Sequence, residues 1–257
     1  MATHVLYEVR GGLARVTLNH PERRNALSLD MLESMDDALA KAAAAPEVKA
    51  VWLGAKGAAF CAGMDLKAAD LSDPAEADRY ARAFSSVYRS LLTLPVPLLC
   101  AVDGPATGGG VGLPAAADLV WARPGVRFAL PETRVGIAPA LVSVVLARRL
   151  TPKKLMALAV GGIELDGEGA REVGLVDFVA DDAGEASLAF ARNLLRNHSP
   201  EATRRTKEFL LGRLPPDLDE QLEAAEDEFR AAVGTDAARR GLAAFREKRS
   251  IVWGGDI

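Results

Sequence analysis

The sequence is poor in the residues that build metal centres and disulfide frameworks. Two cysteines in 257 residues, Cys61 and Cys100, cannot form a disulfide network or a four-ligand zinc site. The three histidines, His4, His20 and His198, are scattered without metal-ligand spacing. Basic residues are outnumbered, 31 Lys and Arg against 35 Asp and Glu, so the formal net charge is −4. No overall positive field exists to hold nucleic acid or an anionic membrane. Basic pairs such as Arg204-Arg205 and Arg239-Arg240 therefore read as solvated helix faces. The opening Met1-Ala-Thr-His-Val5 lacks the basic segment and apolar run of a signal peptide. The longest apolar stretch, Leu91 to Val102, is broken by Pro95 and Pro97. It falls short of the roughly 20 residues that cross a bilayer. These absences predict a cytoplasmic protein with no structural metal, no membrane span and no nucleic-acid partner.

What is present suits a folded α/β protein. Apolar residues make up 49% and charged residues 26%, an ordinary globular balance. The length allows one sizeable α/β domain with a smaller helical appendage. Val5–Val9 and Ala14–Leu18 flank a Gly11-Gly12 turn and predict a strand pair. Ser28 is a plausible N-cap for a helix with Met31, Leu32, Met35 and Leu39 on one face, ended by Pro46. A buried strand at 49–53, a helix at about 76–94 and a strand at 98–102 continue the rhythm. A glycine-rich turn then leads to a predicted helix at about 110–118, and short strands at 119–121 and 126–129 flank Arg123-Pro124-Gly125. Thr151-Pro152 and Ser199-Pro200 read as helix starts, Gly161-Gly162 and Gly212 as stops. Leu218, Leu222, Ala225, Phe229 and Val233 share a helical stripe. The division expected is an α/β core over 1–185 and a helical oligomerisation region over 186–257.

Two glycine turns follow strands: Phe60-Cys-Ala-Gly63-Met-Asp-Leu-Lys67 and Asp103-Gly-Pro-Ala-Thr-Gly108-Gly-Gly110. Glycine lets backbone N–H groups approach a ligand with no Cβ in the way. An N–H at a helix start has no intrahelical acceptor and sits at the positive end of the dipole. Two such turns can aim two amides at one oxygen, each donor supplying roughly 2.7–4 kcal/mol of transition-state stabilisation. A rival pattern overlaps them: Gly110-Val-Gly112-Leu-Pro114-Ala115 fits a dinucleotide fingerprint, with Glu132 downstream. Pro114 in the first helical turns, and two short strands where a βαβ unit needs one, argue against it. No Gly-Lys-Ser/Thr follows the glycines, which excludes a P-loop.

In order and spacing the chain resembles the crotonase (enoyl-CoA hydratase/isomerase) superfamily. The resemblance is carried by Asn19 through Leu27, Ala58 through Leu66, Ala101 through Gly110, Leu130 through Pro139, and Ala244 through Arg249. It implies an α/β spiral of repeated ββα units with a C-terminal helical trimerisation region. It also implies an acyl-CoA thioester substrate, a homotrimer or homohexamer, and no cofactor beyond the CoA of the substrate.

By the same resemblance, the oxyanion-hole amides belong to Met64 and Gly109, and Glu132 is the catalytic acid/base. Ala62, Asp65, Leu66, Lys67 and Gly112 fall at substrate-lining positions, with Asp65 equally readable as a helix N-cap. Arg24 lies in a loop along the CoA phosphates, and Phe245 and Lys248 reach the nucleotide end from a neighbouring subunit. One departure matters: typical hydratases of this kind carry a second glutamate where this chain has Gly112. A single acid is enough for 3-enoyl to 2-enoyl isomerisation, whereas hydration must also orient a water. The glycine run with Glu132, Gly136 and Pro139 resembles a single-glutamate subgroup of hydratases and dehydratases. The expectation is an enoyl-CoA hydratase-type lyase, with isomerase as the alternative and a catalytically weak acyl-CoA binder behind both.

Overall fold

The computed structural model describes residues 4–71, 73–212, 235–247, 249, 252 and 253. Strands β1 (Val5–Arg10) and β2 (Leu13–Leu18) form the antiparallel hairpin expected around Gly11-Gly12. β2 then pairs in parallel with β3 (Ala50–Ala55), β3 with β4 (Leu98–Val102), β4 with β6 (Leu119–Ala122) and β6 with β8 (Phe178–Val179). The result is a six-stranded sheet in the order β1-β2-β3-β4-β6-β8. β3 and β4 are almost wholly buried, as parallel strands covered on both faces must be.

A second, short ladder runs beside the sheet. Leu27 bridges Met64, Cys61 bridges Ala106, β5 (Ala106–Thr107) pairs with β7 (Phe128–Ala129), and Phe128 bridges Leu165. Each repeat therefore gives one strand to the large sheet and one short segment to the ladder before entering its helix. That is the ββα spiral the motifs imply. β6 and β7 flank the Pro-Gly turn but belong to different sheets.

Helix α1 (Leu29–Ala44) is capped by Ser28, whose Oγ accepts from the Met31 N–H. It buries Met31, Leu32, Met35 and Leu39, each contributing about 1.5–3 kcal/mol relative to exposure. α2 (Pro74–Leu92) begins with Asp73 as N-cap and proline in its first turn, and packs on α1 through Tyr80, Phe84, Val87, Tyr88 and Leu91. The opposite sheet face is covered by α7 (Ala183–Asn197), which places Leu188, Ala191 and Leu195 against Trp52, Leu99 and Trp121. Trp52 Nε1 donates to Ser187 Oγ at 2.8 Å, tying β3 to α7. The expected boundary at 185/186 thus falls inside a helix that packs on the sheet.

One element is shorter than the sequence predicts. In place of a helix over 110–118, Gly108–Val111 forms one 3-10 turn and Gly112–Ala115 a four-residue α3. Three glycines weaken propagation, and Asp118 is already bonded to β4 through its N–H to Leu98 O and its carboxylate from the Leu98 N–H. The carbonyls left at the end of α3 are taken by Arg149, which donates to Ala115, Ala117 and Asp118. Short helices α4 (Ala140–Leu146), α5 (Pro152–Ala159) and α6 (Gly167–Val173) follow β7, and α8 (Pro200–Gly212) and α9 (Asp236–Arg246) follow α7. The stripe expected over 218–233 lies outside the described residues. No described helix is long and apolar enough to cross a membrane.

Candidate active site

The short ladder sets the two glycine turns side by side. The N–H groups of Phe60 and Cys61 donate to Pro105 O, and the Thr107 N–H donates to Cys61 O at 2.9 Å. Gly63 takes φ +79, and a Cβ there would stand 2.7 Å from Thr107 O and 3.4 Å from Gly109 N. Only glycine allows both the left-handed conformation and the approach. The amide that follows Gly63, that of Met64, and the amide of Gly109 therefore lie in one neighbourhood. Among the described residues neither N–H has an acceptor. Two unsatisfied amides in one neighbourhood are candidate donors to one anionic oxygen.

Glu132 enters from the repeat of β6 and β7. It opens a 3-10 turn over Glu132–Val135 that Pro131 precedes, three residues beyond β7. Gly108, at φ +55, leaves room for it: a Cβ there would lie 3.0 Å from Glu132 Oε1. Glu132 Oε2 is buried and has no hydrogen-bond partner. Burial pushes this carboxyl above its ordinary value, and its own N–H only partly offsets that. An acid held nearer neutrality, with a free oxygen, is suited to taking a proton and returning it.

These groups share a cavity of about 500 Å3. Ala62, Gly63, Met64, Gly108, Gly109 and Glu132 line it, and the rest of the wall is mostly apolar, from Leu66, Leu71, Phe84, Tyr88, Val135, Ile137 and Leu141. A more open cavity of about 1320 Å3 lies beneath α8, but its buried charges are tied up. Lys207 donates to Val96 O and Asp118, and Arg149 to backbone carbonyls.

Of the predicted site residues, Met64, Gly109, Glu132, Ala62 and Leu66 come together at this cavity. Asp65 does not line it. Its carboxylate accepts both contacts from Arg23 Nη2, at 3.1 and 2.8 Å, and the N–H groups of Lys67 and Ala68. Burial alone would raise its pKa, but Arg23 and the two amides hold it below the usual carboxylate range. Asp65 thus acts as the turn's cap. Gly112 is also set back from the cavity, buried against Tyr88. Arg24 and Lys67 are exposed cations, and Arg24 O accepts from the Ala62 N–H that enters the first turn. Phe245 falls on α9, its side chain outside the description, and Lys248 lies outside the described residues.

Sequence reasoning missed Asn25, Phe84 and Tyr88. Asn25 is fully buried, accepts from the His20 N–H and donates to Lys56 O and Ala59 O. It holds a loop in which Arg24 and Asn25 both adopt φ near +50. Asn25 belongs to a quoted motif, which was a signal. Phe84 and Tyr88 sit one turn apart in the apolar stripe of α2 and gave none beyond a core pattern.

The comparisons with known proteins show the family. The enoyl-CoA hydratase/isomerase family model matches residues 8–256. The chain belongs to the enoyl-CoA hydratase/isomerase family. Within that family it is 30% identical to the 1,2-epoxyphenylacetyl-CoA isomerase of Escherichia coli, covering 97% of this chain and 98% of the relative. It is 29% identical to the cyclohexa-1,5-dienecarbonyl-CoA hydratase of Thauera aromatica, covering 97% and 95%. The solved structure of Pseudomonas aeruginosa AtuE superposes with a TM-score of 0.89 at 35% identity, over 97% of this chain and 99% of that one. Hydratases and isomerases thus both stand among its relatives, and the family places the chain among enzymes acting on acyl-CoA thioesters.

Proposed function

We propose that this enzyme is an enoyl-CoA hydratase-type lyase, adding water to or removing it from the C2–C3 double bond of an acyl-CoA thioester. The observation that carries the reading is that Glu132, whose buried Oε2 has no partner among the described residues, lines the cavity that Met64 and Gly109 also line. In the hydration direction Glu132 takes a proton from water as the hydroxyl adds to C3. The electron pair of the double bond moves to the thioester oxygen, where the two amides hold the enolate. Glu132 then delivers its proton to C2. The apolar wall takes the acyl chain, CoA enters as part of the substrate, and Arg24 and Lys67 supply positive charge for its phosphates. The Thauera relative's name supports hydration.

A second reading, 3-enoyl to 2-enoyl isomerisation, is favoured because Glu132 is the only carboxyl among the described residues that line the cavity. There Glu132 removes a C2 proton and returns it to C4. Crotonyl-CoA in water separates the two: its enoyl-thioester absorbance falls if the enzyme hydrates. A 3-enoyl-CoA gains that absorbance if it isomerises. Neither change, with thermal stabilisation by acyl-CoA, leaves only a binder. A homotrimer or homohexamer is part of the proposal. Exposed Val144, Met156, Val160 and Ile163 around α4 and α5 support it, and light scattering on purified protein tests it by mass.

A further inference from the structure

The space where a second acid would stand is occupied. A Cβ on Gly112 would lie 2.5 Å from both Cζ and Oη of Tyr88 and 2.6 Å from its Cε1. Tyr88 reaches there from the C-terminal part of α2 and lines the cavity while remaining almost fully buried. Its hydroxyl donates to Gly109 O at 2.6 Å, and the Gly112 N–H donates to the same carbonyl. The Phe84 ring, 5.9 Å away, packs beside it and comes within 2.7 Å of where a Gly109 Cβ would be. Burial, then the nearby Cys61 and Glu132, push the phenol well above its ordinary range, so it stays a donor and takes no proton from substrate.

Three glycines in a row give this turn more backbone freedom than any other in the chain. Gly109 N–H and Gly109 C=O lie on either side of one Cα, so anchoring the carbonyl to Tyr88 removes part of the freedom of the segment that carries the amide. We propose that Tyr88 is the positioning residue of the Gly109 oxyanion donor and that its ring excludes any side chain at 112. The site is then built on one acid and one phenol. This inference rests on the amide-pair reading above. It adds the reason that position 112 is glycine.

Binding of a conjugated dienoyl-CoA provides the test, because polarisation of its carbonyl by the two amides moves its absorbance to longer wavelength. The wild-type protein shows the shift, and Glu132→Gln keeps it while losing turnover. Tyr88→Phe, which keeps the ring, binds the probe with a smaller shift, and its kcat falls about tenfold or more while KM changes little. A wild-type shift and kcat in Tyr88→Phe would overturn the positioning role. A wild-type protein that binds without any shift would sink the amide pair itself and this inference with it. A separate arm reads the steric claim without activity. Gly112→Ala lowers the melting temperature, and combining it with Tyr88→Ala recovers part of that loss, a coupling that independent sites lack. Equal melting of Gly112→Ala and wild type would refute the exclusion.

Discussion

Glu132 and Asp65 are both partly or wholly buried acids beside glycine turns, and they have opposite surroundings. Asp65 sits in a nest of donors, with Arg23 on both oxygens and two backbone amides behind, and its pKa is lowered. Glu132 faces apolar side chains with one oxygen unmatched, and its pKa is raised. A buried carboxylate that is fully paired stabilises the fold through its charge. One left unpaired at a cavity costs stability when ionised and holds a proton-transfer group ready.

The largest effect expected from breaking this contrast is on turnover. Glu132→Gln should cut kcat by about a hundredfold or more with acyl-CoA affinity nearly unchanged, measured by steady-state kinetics and calorimetry. Wild-type rates would mean the residue is miscast. The same group sets the acid limb of kcat/KM. Because its pKa is raised, activity that needs the carboxylate falls as pH drops through a value above the free glutamate figure of about 4.3. A limb at or below that figure contradicts the burial argument. Asp65→Ala should instead lower unfolding free energy by about 1–3 kcal/mol, read by urea denaturation, with turnover per folded molecule kept. Its contribution is present above the unfolded carboxylate pKa and lost as pH falls through the lowered native one. For Glu132 the sign is opposite: its raised native pKa favours folding below the unfolded pKa, and the benefit is lost as pH rises through the native one. At neutral pH, Glu132→Gln should therefore stabilise the ligand-free enzyme, by roughly 0.5–2 kcal/mol, and a lower melting temperature would refute this. The smallest effect belongs to Lys67→Ala, an exposed cation, for which KM should rise ~1.4–5-fold and less at high salt.

The strand–helix rhythm and the two glycine turns were legible because they depend on local signals: apolar runs, a capping serine, and glycines at fixed distances after strands; the spiral itself was implied by the family resemblance. Glu132 was legible from its motif. Asp65 was ambiguous because its partner, Arg23, lies 42 residues earlier on a loop that Asn25 shapes through main-chain bonds. Tyr88 was invisible for a related reason. On α2 it continues the Tyr80, Phe84 spacing and reads as core, and only the packing of that helix across α3 reveals what it touches. Likewise the helix predicted over 110–118 stops early because of Asp118's bonds to β4, which no local propensity encodes.

Met64 lines the hollow that Glu132 also lines, and its peptide nitrogen belongs to the backbone while its thioether belongs to the side chain. The nitrogen is there whatever amino acid is translated at that codon, whereas the thioether's bulk is open to replacement. Selection on acyl shape can therefore act at residue 64 without disturbing the anion cradle. On the proposed mechanism, exchanging that one flexible side chain reshapes the acyl wall and leaves the backbone donor in place.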